Sequence, residues 1–202
     1  MTIPKYFRNI GEKNIVSYDY YDIGEGTGIK SFYAGDVLDD YILSSQVFYG
    51  DVGRTIITSG NVDIDFDLTA FNTPKTIKGT VLINFGMSRE RDGTAGSSLM
   101  AYTATIYIRH VRGATETELG NEAVTVSGQM GASAHSVKLH AFQIAIPQTH
   151  FKKGDILRVS AIISTTSEFG QVIFAHDPKS RTFTDFADSS QFKIDVPFKL
   201  DL

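Results

Sequence analysis

The chain reads as an all-β protein, an antiparallel β-sandwich or jelly roll of seven to nine strands with little helix. Three observations predict this. Several segments alternate apolar and polar residues at period two, as half-buried strands require. Val, Ile and Thr supply 52 of the 202 residues while Leu is scarce, and β-branched side chains suit a pleated surface better than a helix. Turn residues recur at short intervals with no helical period between them, which favours a sandwich over an alternating βαβ fold.

The N-terminal stretch differs from the rest. Residues 1–45 concentrate Tyr6, Phe7, Tyr18, Tyr20, Tyr21, Phe32 and Tyr33 around a Gly24, Gly26, Gly28 break. They form either the first strands of the sandwich or an extended arm on a neighbouring subunit, since exposed Tyr and Phe are enriched at protein interfaces. The division expected is therefore residues 1–45 as arm or first strands and 46–202 as the sandwich. Residues 36–43 are the one stretch that reads as a short helix.

Further along, Val62, Ile64, Phe66 and Leu68 share one strand face and Asp63, Asp65 and Asp67 the other. Ile77, Val81, Ile83 and Phe85 point one way, with Gly79 marking a bulge or a close backbone approach. Residues 86–97, rich in Gly and charge, read as an exposed, mobile hairpin tip carrying Arg89 and Arg91. Residues 98–111 alternate Met100, Tyr102, Ala104, Ile106 and Ile108 against partly apolar neighbours, as in a strand inside a sandwich. Residues 123–126, 137–146, 156–164 and 171–176 supply further strands, with turns at 128–132, 147–155 and 177–179. The last strand alternates Phe192, Ile194, Val196, Phe198 and Leu200 with polar residues and Pro197, which places it at an edge or gives it a bulge.

Composition excludes much chemistry. With no Cys, the chain has no thiol nucleophile, Cys-ligated zinc or disulfide framework. A net charge of -4 speaks against a broad grip on nucleic acid. No apolar run approaches a membrane span, and residues 1–10 lack a signal-peptide core, so cytoplasmic synthesis is the expectation. His110, His135, His140, His150 and His176 are scattered and read as turn or surface residues. The three aspartates stand about 7 Å apart per step, too far to share one ion. No Gly-x-Ser-x-Gly elbow is present, and Gly24, Gly26 and Gly28 do not fit a phosphate loop. The expectation is no catalytic residue, no cofactor, no metal and no enzyme. A jelly-roll enzyme of the cupin or glycosidase kind is the weakest alternative.

The C-terminal third then suggests a kinship. The turn running from Phe151 through Lys152, Lys153 and Gly154 to Asp155, the His176, Asp177, Pro178, Lys179 break and the closing strand at 191–202 resemble β-rich virion structural proteins of tailed bacteriophages. That resemblance implies a jelly-roll subunit of the capsid decoration or cement type. It would be assembled in the host cytoplasm into the virion as a homotrimer, with the major capsid protein or other virion subunits as partners and neither nucleic acid nor membrane. Tyr6, Phe7, Tyr18, Tyr20, Tyr21, Arg89 and Arg91 are the candidate interface residues. The alternative is a carbohydrate-binding or host-recognition module, in which exposed aromatics and the charged tip at residues 89–92 would meet a glycan.

Overall fold

The computed structural model describes residues 27–38, 40–93, 96–166, 169–183 and 190–199. Tyr6, Phe7, Tyr18, Tyr20, Tyr21, Gly24, Gly26 and Leu200 lie outside them. Eleven strands form among the described residues: β1 (Thr27–Val37), β2 (Asp40–Ser44), β3 (Arg54–Ile57), β4 (Gly60–Leu68), β5 (Lys75–Glu90), β6 (Ser98–Arg112), β7 (Thr115–Met130), β8 (His135–Phe151), β9 (Ile156–Thr165), β10 (Gln171–Ala175) and β11 (Phe192–Lys199). The architecture is all-β, as the alternation requires, with no helix among the described residues.

Pairing is antiparallel except where β2 meets β4 at Ile42 and Leu43. One half of the sandwich is built on β5, which pairs β8 along one edge and β11 and then β10 along the other, with β3 outside β10. The second half runs β4, β9, β6, β7. β1 and β2 carry the sheet from β11 across to β4. The inward residues alternate along each strand: Ile64 and Phe66 on β4, Ala104, Ile106 and Ile108 on β6, Val159, Ala161 and Ile163 on β9, and Val81, Ile83 and Phe85 on β5 are all buried. Phe66 joins the halves, its ring 5.4 Å from Phe192 and 6.3 Å from Phe174.

Glycine and proline punctuate the sheet where backbone rules demand it. The β5/β8 register slips between Ile77 and Gly79, opposite Pro147, and the β5/β11 register slips between Asp195 and Phe198, beside Pro197. Both prolines, which cannot donate to a ladder, thus sit at irregularities around one glycine with φ +124°. β11 is therefore an interior strand with a bulge, and β8 continues through Pro147 to Phe151 instead of turning there.

Several expectations need correction. Residues 36–43 are not helical: β1 reverses at Leu38 into β2, because the Asp36 carboxylate is taken by the amides of Val52 and Gly53 and cannot cap a helix. Residues 86–90 are not a mobile tip but the buried end of β5, leaving only a short turn. Arg89 and Arg91 are 7% and 4% exposed. Arg89 Nη1 donates to the Met100 carbonyl and Arg91 Nη1 to those of Gly96 and Met130, so both guanidinium groups close the hairpin end from inside.

Two histidines are likewise interior. His110 is 9% exposed, its Nε2 2.7 Å from Asp155 and its ring 4.3 Å from that of Phe151. Asp155, expected at a solvent-facing turn, is buried at 4% exposure, and it accepts from the Lys152 amide and the Arg112 guanidinium. The Arg112 hydrogen bond, more than any other neighbour, holds its carboxyl below the ordinary carboxylate range. Gly154 does supply the positive φ expected of that turn, and Phe151 does cap the core, fully buried.

Candidate functional site

The largest departure from the sequence reading is His176, which is 1% exposed and follows directly on β10. Its backbone amide donates to the Gly53 carbonyl, and the next residue, Asp177, anchors a loop: Arg181 donates to it through Nε and the backbone amide, while Arg181 Nη2 reaches the Gly50 carbonyl. The His176 ring is walled by Tyr41, Phe66 and Phe174 at centroid distances of 5.6 to 5.7 Å. Nε2 lies 3.0 Å from Thr55 Oγ1. Nδ1 is buried without a hydrogen-bond partner among the described residues, and the Asp36 Oδ1 carboxylate oxygen stands 3.5 Å away. Burial outweighs the Asp36 charge and pushes the imidazole pKa down to about 4, so it is neutral at pH 7.

This buried polar knot positions a surface. Asp36 holds the amides of Val52 and Gly53 at 2.7 and 2.8 Å, fixing the loop between β2 and β3 against β10. A cavity of about 390 Å³ opens there, lined by Asp36, Tyr41, Val52, Arg54, Thr55, Ile56 and His176. Of its lining residues Val52 and Ile56 are exposed at 58% and 45%, and Leu38 at the end of β1 and Tyr49 in the loop before β3 at 83% and 71%. Leu38 is tied to this loop through its amide, which donates to Asp51 Oδ2. Among the described residues β3 pairs only with β10, which leaves its other edge without a strand partner among them.

Gly53 makes this geometry possible. Its φ is +73°, and a Cβ there would stand 2.8 Å from Asp177 Cβ. Gly53→Ala is expected to lower stability by about 1 to 3 kcal/mol, from left-handed strain plus the clash. Urea unfolding measures the loss, which an equally mutated Gly60, with φ +76° and nothing nearby, separates into strain alone.

The other candidates fall as follows. Asp63, Asp65 and Asp67 do share one face, but it is not simply solvated: Arg158 donates Nε and Nη2 to Asp67 and Nη1 to Asp65, each at 2.7 Å. The Asp67 hydrogen bond raises the arginine pKa, keeping it fully charged. Among the described residues no group of acidic and histidine side chains is placed to hold a metal ion. His140 lies 2.7 Å from the Tyr102 hydroxyl and is half-buried, whereas His135 and His150 are exposed. Burial moves the Tyr102 pKa upward and the His140 pKa downward. The exposed large aromatics among the described residues are Tyr49 and Phe169, both outside strands.

No family model matches the chain, and no curated protein matches it. Solved structures do. An α-amino acid ester hydrolase aligns over 84% of this chain at TM-score 0.56 and 10% identity. An aminopeptidase from a marine sediment Thaumarchaeota archaeon aligns over 84% at TM-score 0.55 and 7% identity. A CocE/NonD family hydrolase from Staphylococcus aureus aligns over 84% at TM-score 0.52 and 12% identity. The chain spans 36% to 37% of the length of those three structures. Fainter likenesses, to an infectious bursal disease virus VP2 particle at TM-score 0.35 and to the TmCBM61 carbohydrate-binding module at 0.28, carry no argument.

The expectation that the chain is not an enzyme is corrected by these neighbours. It rested on a motif-free β-sandwich, and that same sandwich is part of hydrolases and an aminopeptidase, so the fold does not set the chain apart from enzymes. At 7% to 12% identity the likeness establishes one thing, a β-sandwich of jelly-roll type that solved hydrolases also contain.

Proposed function

We propose that the chain is an assembly subunit of a virion shell, of the capsid decoration type, which joins to neighbouring subunits through the open edge beside β3. The observation that carries this is the rim of Leu38, Tyr49, Val52 and Ile56. Leu38, Val52 and Ile56, with Tyr49 under the Lys179 ammonium, are exposed next to a strand edge that has no partner among the described residues. Isolated exposed apolar residues are ordinary, but a cluster at an open edge marks an association surface.

Leu38 adds an energetic argument. It is a β-free-turn leucine with φ +49°, a conformation that costs L-residues about 1 kcal/mol or more, and it is the most exposed large apolar residue described. Strain and exposure together are retained where a partner rewards them. Leu38→Gly is expected to stabilise the isolated protein by about 1 kcal/mol while weakening its association. Urea midpoints and light scattering on the same samples check both halves.

The direct test is light scattering of the purified chain and co-sedimentation with capsids of the virus whose genome encodes it, if neighbouring genes identify one. Oligomers, trimers above all, that pellet with capsids are the expected result. A monomer that stays in the supernatant sinks the reading, and a glycan array that lights up would move it to the carbohydrate-binding alternative.

A further inference from the structure

We propose that the rim and the acidic groove beside it receive the N-terminal segment, residues 1–26, of a second copy of this chain. The inference rests on the assembly reading and names the partner for that surface. Next to the His176 cavity, and sharing Tyr41 with it, lies a groove of about 500 Å³ lined by Asp40, Tyr41, Ile42, Asp63, Ile64, Asp65 and Asp67. Asp65 and Asp67 share Arg158, but Asp40 and Asp63 form no ion pair among the described residues. The surface is therefore apolar on one side of Tyr41 and anionic on the other.

The first thirteen residues complement it in both respects. Lys5, Arg8 and Lys13 face only Glu12 in charge, and Lys5 and Arg8 bracket the Tyr6, Phe7 pair directly. An aromatic pair flanked by cations fits an apolar rim beside carboxylates, where burial supplies affinity and charge supplies register. Later aromatics, Tyr18, Tyr20 and Tyr21, extend the contact.

Under the assembly reading the neighbour is selected over the same subunit. β1 runs from Thr27 to Val37, and the rim sits at its far end, where Asp36 fixes the loop. At the usual strand rise the start of β1 at Thr27 lies about 30 Å from the rim at its other end. Twenty-six residues reach up to about 85 Å when extended, ample to cross to another copy. Exchange of such arms between copies would close a ring, as a trimer needs.

The absence of cysteine makes the test clean. Two full-length single variants, Tyr6→Cys and Ile56→Cys, one carrying a mass tag, are mixed under mild oxidation, so a disulfide between tagged and untagged chains joins different copies. The expected result is a mixed disulfide at least tenfold above that of Tyr6→Cys with Leu139→Cys, an exposed site on β8, and its loss when Asp40→Asn and Asp63→Asn are added to the Ile56→Cys chain. Near-ultraviolet circular dichroism confirms that each variant is folded. Mixed disulfide no greater than the Leu139 control overturns the proposal, as does a disulfide that forms only within a chain carrying both cysteines. If Val52→Ser with Ile56→Ser still dissolves the oligomer in that case, the assembly reading stands without this occupant. A monomeric native chain overturns both.

Discussion

Replacing Phe66 with Ala should cost about 3 to 5 kcal/mol, the range for emptying a fully buried aromatic site. The ring is wholly buried and touches Tyr41, Phe174, Phe192 and His176, so it packs against both halves of the sandwich and backs two residues that line the cavity, Tyr41 and His176. The neighbours are held on β2, on or directly after β10, and on β11, which limits their collapse into the space. Urea unfolding should show a lower midpoint with an unchanged slope. Phe66→Leu keeps most of the volume and should cost about 1 kcal/mol. The cavity variant should also let water reach His176 and move its titration up toward the ordinary imidazole range, which NMR would follow. A loss below about 1 kcal/mol for the alanine variant would show that the halves are not coupled through this ring.

Much of this architecture was legible in the sequence, and the part that was not has a common cause. The strict alternation of β6 from Met100 to Ile108 and of β11 from Phe192 to Phe198 can be satisfied only by a strand with one buried face. Gly79 and Pro197 stood out because backbone rules act locally. The buried charges did not stand out, since charged residues are assumed to lie outside. Yet period two does place them: Arg89 and Arg91 continue the inward series of Phe85 and Met87, His110 that of Ile106 and Ile108, and His176 that of Val172 and Phe174. Extending each inward series by one polar residue reaches Arg89, His110 and His176, and a second step, just past the end of β5, reaches Arg91. What no local pattern could supply is the partner set. The Asp36, Gly53, Thr55 and His176 knot spans up to 140 residues and depends on backbone amides, which have no sequence signature.

Acidification should unfasten that knot before it touches the rest of the protein. His176 has a pKa of about 4 in the folded chain against 6.5 for an ordinary imidazole, so between those values the unfolded state binds more protons. Its contribution is therefore complete above pH 6.5 and is lost as pH falls toward 4, about 3 kcal/mol in all. His140, also pushed down by burial, acts with the same sign. Asp155 titrates below the ordinary carboxylate range and so adds its loss only under about pH 4, outside this window. Unfolding free energies measured in urea at pH 7.5, 6, 5 and 4.5 should fall steadily, and His176→Gln should flatten most of that slope. An unchanged slope in the variant would mean the imidazole is not the sensor. Since the same knot seats the loop bearing Val52, and Ile56 lies on the strand beside it, the self-association proposed above should weaken over this pH range too, ahead of global unfolding. Light scattering across the same pH series would separate that local release from loss of the whole fold.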